Sequence, residues 1–226
     1  MADACARSSR PRADVRLQPI TKTVPANILR FAHAAGVTSF GENKIQEAAG
    51  KRDALSDLPI RWSIVGHLQT NKAANAARFA DEFHALDSMR LADALNARLA
   101  RDGRTLDVYV QVNTSDEDTK FGLHPDALLP FIDTLPRFER LRPRGLMTLA
   151  AFSDDMVRVR TCFRLLRRLR DEAARRDSRI AELSMGMSGD FEMAIEEGAD
   201  VVRVGQAIFG RRPTPDSHYW PGLVGA

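Results

Sequence analysis

Residues 180–210 read "IAELSMGMSGDFEMAIEEGADVVRVGQAIFG". Residues 180–188, "IAELSMGMS", form a β-type run. Residues 189–198, "GDFEMAIEEG", read as a short helix that stops at Gly198. Residues 199–210, "ADVVRVGQAIFG", bring a second strand, rich in valine. Two strands joined by a helix make a parallel pair, because parallel neighbours need a crossover connection.

The same alternation runs back through the chain. Strand-like runs fall at 15–20, 37–43, 60–67, 82–88, 106–113 and 141–150, ahead of the two already quoted. The clearest is "LDVYVQVN" (106–113), with its β-branched residues. Helical patterns separate these runs. The first, 25–36, opens on Pro25 at a first helical position and closes at Gly36. Eight strands alternating with helices imply a parallel sheet covered on its faces. The expected fold is an α/β protein, an eight-stranded parallel (β/α)8 TIM barrel. An open doubly wound sheet is the rival, but the chain has no G-x-G-x-x-G fingerprint. The expected organisation is a polar, disordered lead-in at 1–14, one barrel domain at 15–212 and a C-terminal tail at 213–226.

The 226 residues suffice for one such domain. A composition of 44% hydrophobic and 28% charged residues is that of an ordinary globular protein. The two cysteines, Cys5 and Cys162, are too few for a disulfide framework or a zinc site. No apolar run reaches the length of a membrane span, and the first residues lack a signal-peptide core, so a cytoplasmic location is expected. The formal charge is +3, and much of the basic excess sits in "RLLRRLRDEAARR" (164–176). There Phe163, Leu165, Leu166 and Leu169 make an apolar stripe with arginines opposite. A solvated helix face explains this better than a nucleic-acid patch, because no nucleic-acid-binding motif accompanies it.

A barrel of this kind carries its site at the C-terminal ends of the strands. Lys22 in "RLQPITKTVP" (16–25) falls there, as do Asn43 after "GE", His67, Asp87, Ser88, Asn113 and Thr148. The seventh and eighth runs contribute Gly186, Ser188, Gly189, Gly205 and Gln206. Loops after strands seven and eight commonly bind phosphate, and serine hydroxyls and close-approaching backbone suit that ligand. The competing reading makes these glycines turns and Ser188 a helix cap. Arg203 interrupts the apolar "VVRVG". It is either a donor to a ligand or a residue paired at the barrel end, because a buried arginine is costly alone. Opposite a phosphate site, Lys22 could bond covalently to an aldehyde, although an exposed lysine is the plainer reading of the position alone. His67 by itself reads as a structural histidine.

With those residues in hand, the sequence resembles the pyridoxal phosphate homeostasis proteins, the YggS/PROSC-like group. They share the barrel of the alanine racemase N-terminal domain. The matching segments are "TKTVP" (21–25), "FGEN" (40–43), "WSIVGHLQTNK" (62–72), "LDVYVQVN" (106–113), "KFG" (120–122), "RGLMT" (144–148), "LSMGMSGD" (183–190) and "VRVGQAIFG" (202–210). They run in this order along nearly the whole chain. The resemblance implies pyridoxal 5′-phosphate as cofactor, carried on Lys22 as a Schiff base, an internal aldimine. It also implies that Ser188, Gly205 and Gln206 hold the phosphate, that Arg203 faces the pyridine nitrogen and that Asn43 lies near the ring.

The resemblance implies a carrier or regulator in vitamin B6 homeostasis without strong catalysis. Its partners would be the cofactor and pyridoxal phosphate-dependent apoenzymes, with neither nucleic acid nor membrane, and it would act as a monomer. The alternative is a single-domain amino-acid racemase. Racemases of this kind use a second acid/base, a tyrosine from an additional β-domain. The sequence has sixteen residues after Gly210, and neither Tyr109 nor Tyr219 stands in an obvious substitute position. Departures from the family pattern are Pro19 in the first strand, Val24 for a second lysine, Gln206 for a small hydroxylated residue and Gly189 for a frequent aspartate. The segment ahead of the first strand is also shorter than the family's, which carries a helix there.

Overall fold

The structure is a computed structural model that describes residues 1–117 and 119–210. The elements follow the expected alternation. They are α1 (Ala2–Arg7), β1 (Arg16–Pro19), α2 (Ala26–Ala34), β2 (Ser39–Glu42), α3 (Ile45–Ala54), β3 (Arg61–Ile64), α4 (Ala73–Phe79), β4 (Glu82–Leu86) and α5 (Met89–Arg101). There follow β5 (Leu106–Gln111), α6 (Leu128–Thr134), β6 (Leu141–Met147), α7 (Met156–Ala174), β7 (Glu182–Ser184), α8 (Phe191–Glu196), β8 (Val201–Val204) and α9 (Gln206–Phe209). The strands form one parallel sheet in the order β1-β8-β7-β6-β5-β4-β3-β2. The ring closes between β1 and β2 through an isolated bridge, Ile20 with Gly41, and through the Thr21 N–H bonded to Gly41 O at 2.9 Å. This is the expected (β/α)8 barrel.

That weak seam explains Pro19. The N–H groups of Arg16 and Ile20 donate to β8, at Asp200 O and Val204 O. Odd-numbered residues of β1 therefore face β2, as Thr21 does. Pro19 lies on the side where the ladder has a single bridge, so its missing N–H leaves no bond unmade.

Several runs prove shorter than expected, because the chain turns away at the mouth. β7 ends at Ser184, and residues 185–188 form a loop into α8. β8 ends at Val204, and Gln206 begins α9 instead of ending a strand. The expected disordered lead-in contains α1, whose Ala4 and Cys5 are buried. Arg7 of α1 pairs with Glu192 at 2.7 Å and Glu196 at 3.0 Å, both on α8. Arg10 donates to Ala199 O and to Asp200. Two small side chains give too faint a periodicity to betray so short a helix. The expected tail 213–226 lies outside the described residues, as does the end of the expected domain at 212.

Apolar strand residues point outward to the helices. Trp62, Ile64, Phe83, Val108, Val110, Leu183 and Val202 are all buried and meet a shell that includes Leu29, Leu95, Leu99 and Leu166. On α7 the expected stripe holds at Phe163, Leu166 and Leu169, while Leu165 is only partly buried. The opposite face is less solvated than expected. Arg160 bonds Glu196 and Glu197, and Arg164 also reaches Glu197, tying α7 to α8. Cys5 and Cys162 are buried free thiols. Among the described residues no helix is long and apolar enough to cross a membrane, and no cluster of metal-binding side chains occurs.

Candidate functional site

Lys22 follows the last residues of β1 and is 8% exposed. Its neighbours on both sides are fixed. The Thr21 hydroxyl donates to Glu42 Oε1 at 2.6 Å, and the Thr23 N–H donates to Glu47 Oε1 at 2.6 Å. Lys51 of α3 ties these together, with Nζ at 2.6 Å from each of Thr21 O, Glu42 Oε1 and Glu47 Oε1. Thr23 has φ +66°, an unfavourable left-handed conformation for a β-branched residue. The clamp therefore holds a strained turn at the lysine. Burial raises the pKa of Glu42, and Lys51 works against that rise. Nothing in the sequence run around Lys51 signalled this role, because Glu42 and Lys51 meet only once α3 packs on β2.

Ser188 stands beside the start of α9. The N–H groups of Gly205 and Ala207 lie 3.3 and 3.4 Å from its Oγ. Gly205 cannot carry a side chain without disturbance, since a Cβ there would meet Ile20 O at 3.0 Å. That close approach sets the Ser188 loop against the strand that delivers Lys22, two residues beyond Ile20. Gln206 opens α9 in the same loop. The Asp190 carboxylate accepts from Met187 N–H at 2.5 Å and so holds the turn that presents Ser188.

Arg203 is 4% exposed and points into the bore, where its partners are neutral oxygens. Nη1 donates to Ser184 Oγ at 2.8 Å and Nη2 to Thr148 O at 2.7 Å. Burial pushes its pKa down to about 10, with the Asp190 charge opposing. Two of five N–H donors are spent here, which leaves capacity for a ligand. Asn43, just past β2, has a buried Oδ1 without a protein partner. Its backbone crowds Gly66, where a Cβ would lie 2.5 Å from Asn43 O.

The sequence reading missed the bore. Typical barrels fill it with branched aliphatic side chains. Here it holds Arg16, Gln18, Ser63, Glu82, His84, Tyr109 and Ser184, linked by hydrogen bonds. The signal was present as i, i+2 polar pairs, Arg16 with Gln18, Glu82 with His84 and Glu182 with Ser184, each on one strand face. The mouth residues His67 and Asp87 pair at 3.4 Å, and His67 stacks on Phe121 with centroids 3.7 Å apart. Ser88 caps α5. The Asn113 side chain accepts from Ser115 and donates to Glu117 O, organising its own loop, and Thr148 bonds Thr114 and Val112 O.

All six expected cofactor-binding residues thus lie at the C-terminal ends of four neighbouring strands. Lys22 is at β1, Asn43 at β2, Ser188 after β7, and Arg203, Gly205 and Gln206 at β8. The donor set fits pyridoxal phosphate. It offers a buried amine, a hydroxyl with converging N–H groups beside a close backbone approach, a guanidinium with donors left over and an orphaned amide oxygen.

Residues 7–213 match the family described as "Alanine racemase, N-terminal domain". The chain is 39% identical over 210 residues to a pyridoxal phosphate homeostasis protein of Aquifex aeolicus, covering 92% of each. It is 37% identical to the human protein of that name, covering 91% of this chain and 82% of the relative. PipY of Synechococcus elongatus, solved with pyridoxal phosphate bound, superposes with a TM-score of 0.83 at 36% identity, over 92% of this chain and 99% of PipY. Alanine racemase from Streptomyces coelicolor, at 20% identity and a TM-score of 0.69, shares the fold. The chain belongs to the alanine racemase N-terminal domain family and, within it, to the pyridoxal phosphate homeostasis proteins.

Proposed function

We propose that this protein binds pyridoxal 5′-phosphate and serves vitamin B6 homeostasis by holding the cofactor and passing it to apoenzymes. Lys22 is the covalent anchor. Ser188, with the loop of Gly205 and Gln206, takes the phosphate. Arg203 and Asn43 flank the ring. The observation that carries this reading is a buried lysine on a clamped turn, one close backbone contact from the Ser188 loop. The bound cofactor supplies an electrophilic aldehyde and an electron-withdrawing ring. The chain's own residues bind and orient it. Arginine keeps its proton, so Arg203 donates a hydrogen bond without protonating the ring.

The racemase alternative needs a second acid/base at the mouth. Tyr109 is committed elsewhere, because its hydroxyl donates to Glu182 and accepts from Arg16, at the opposite, N-terminal end of the bore. Tyr219 lies outside the described residues.

The test is optical and chemical. Protein incubated with pyridoxal phosphate and freed of excess should gain a new absorption band. Borohydride reduction should then add the cofactor's mass to the peptide bearing Lys22, and to no peptide in Lys22→Ala. Absence of a band at saturating cofactor would refute the reading. Exchange of the Cα hydrogen of free amino acids with solvent deuterium, lost in Lys22→Ala, would favour the racemase.

A further inference from the structure

The polar bore meets the mouth at Arg203, and its hydrogen bonds run between two fixed ends, an arginine that only donates and a carboxylate that only accepts. Arginine can only donate, so Ser184 Oγ accepts from Nη1 at 2.8 Å. The Ser184 hydroxyl hydrogen is then free to point to His84 Nδ1 at 2.9 Å. The Glu82 carboxylate can only accept, so His84 Nε2 carries the proton, and in the neutral ring Nδ1 is the bare nitrogen that accepts from Ser184. Nε2 faces Glu82 Oε2 at 3.3 Å, which also accepts from Ser63 at 2.9 Å and from Arg16 at 3.0 Å. The chain Arg203 to Ser184 to His84 to Glu82 runs one way, from the mouth to the carboxylate at the start of β4.

The charges agree with this reading. Burial lowers the pKa of His84 and so keeps the ring neutral, although the Glu82 hydrogen bond opposes it. Burial would raise the pKa of Glu82, but the hydrogen bond from His84 and the charge and hydrogen bond of Arg16 hold the carboxyl well below the usual range. His84 and Ser184 are fully buried, and His84 stacks on Tyr109 with centroids 4.3 Å apart, so the ring cannot swing away.

We propose that Ser184 and His84 are positioning residues for the cofactor site, fixing the Arg203 guanidinium from the bore side through this one-way chain. They touch no ligand themselves. The inference rests on the pyridoxal phosphate reading, since it gives Arg203 a ligand to face. A merely structural pair would stabilise the barrel without altering what Arg203 presents at the mouth.

The experiment has two arms. In the first, histidine 15N NMR on the wild-type, cofactor-free chain should find His84 as the neutral Nε2–H tautomer. Its signals should shift on adding pyridoxal phosphate and stay put on adding inorganic phosphate. In the second, Ser184→Ala should weaken pyridoxal phosphate binding by roughly tenfold or more, as loss of an orienting partner does at metal sites. It should also move the bound cofactor's absorption maximum, and Ser184→Thr should restore both. An Nδ1–H tautomer or an imidazolium at neutral pH overturns the inference, whether or not the variant folds. So does a Ser184→Ala protein with wild-type affinity and spectrum. Wild-type protein that takes up no pyridoxal phosphate overturns instead the cofactor reading on which the inference stands.

Discussion

Replacing Lys51 by methionine tests what holds Lys22 in place. Lys51 is 8% exposed and Glu42 is fully buried, and their contact is 2.6 Å. Methionine fills similar space but leaves the Glu42 carboxylate with only the Thr21 hydroxyl on Oε1, while Oε2 already lacks a partner. Breaking a buried pair from one side costs about 3–5 kcal/mol. For a chain of this size that lowers Tm by roughly 6–20 °C. Part of the loss is the charge of Glu42, so it depends on pH. Burial holds the carboxyl above its ordinary value of 4.5, and losing the ammonium raises it further. The folded chain then binds a proton more tightly than the unfolded one. The penalty is absent below the ordinary carboxylate range and grows as pH rises through the raised value. The double variant Lys51→Met/Glu42→Gln removes the charge and should recover at least half of the lost stability at pH 7. Both variants lose the Lys51 bonds to Thr21 O and Glu47 that brace the turn, so both should take up pyridoxal phosphate more weakly than the wild type. The assay is thermal melting from pH 5 to 8 beside a cofactor titration. A fall in Tm of under 3 °C in the single variant, or a double variant no more stable than the single one, would refute the clamp.

Three further outcomes follow from the geometry. Gly186→Ala should cost about 2–4 kcal/mol in urea unfolding, because φ is +92° and the new Cβ would meet the Ala194 Cβ at 2.5 Å. Tyr109→Phe strips the Glu182 carboxylate of a buried donor and should cost about 1–3 kcal/mol. Cofactor affinity should not change, since the hydroxyl sits at the far end of the bore, and a large loss of affinity would contradict that placement. Glu197→Ala frees Arg160, Arg164 and Arg167, which bond its buried carboxylate at 2.7, 3.1 and 3.6 Å. Those arginines are 32–62% exposed and can resolvate, so the expected loss is only about 1–2 kcal/mol. It should shrink in 0.5 M salt, where surface pairs are screened, and a loss indifferent to salt would argue against an ion-pair tie.

Much of this protein was legible in its residues. Alternating strand and helix signals gave eight β/α units, and parallel strands with helical crossovers close into a barrel. The position of Lys22, Asn43 and Ser188 at strand ends then followed from counting, because a strand end in a barrel is a mouth position wherever it falls in the chain. Other features were decided only by the tertiary structure. The role of Lys51 is one, because its partners Thr21 and Glu42 come from two other elements. Pro19 looked like a flaw in β1 until the bridging pattern put its missing donor on the loose seam. The bore gives the clearest case. Alternation along a strand tells that Glu82 and His84 share a face, but not whether that face meets helices or the barrel axis. Closure brings Arg203, Ser184, His84 and Glu82 from three strands into one row. Only there, away from water, does each polar group need the next, and that need fixes both their arrangement and the direction of their bonds.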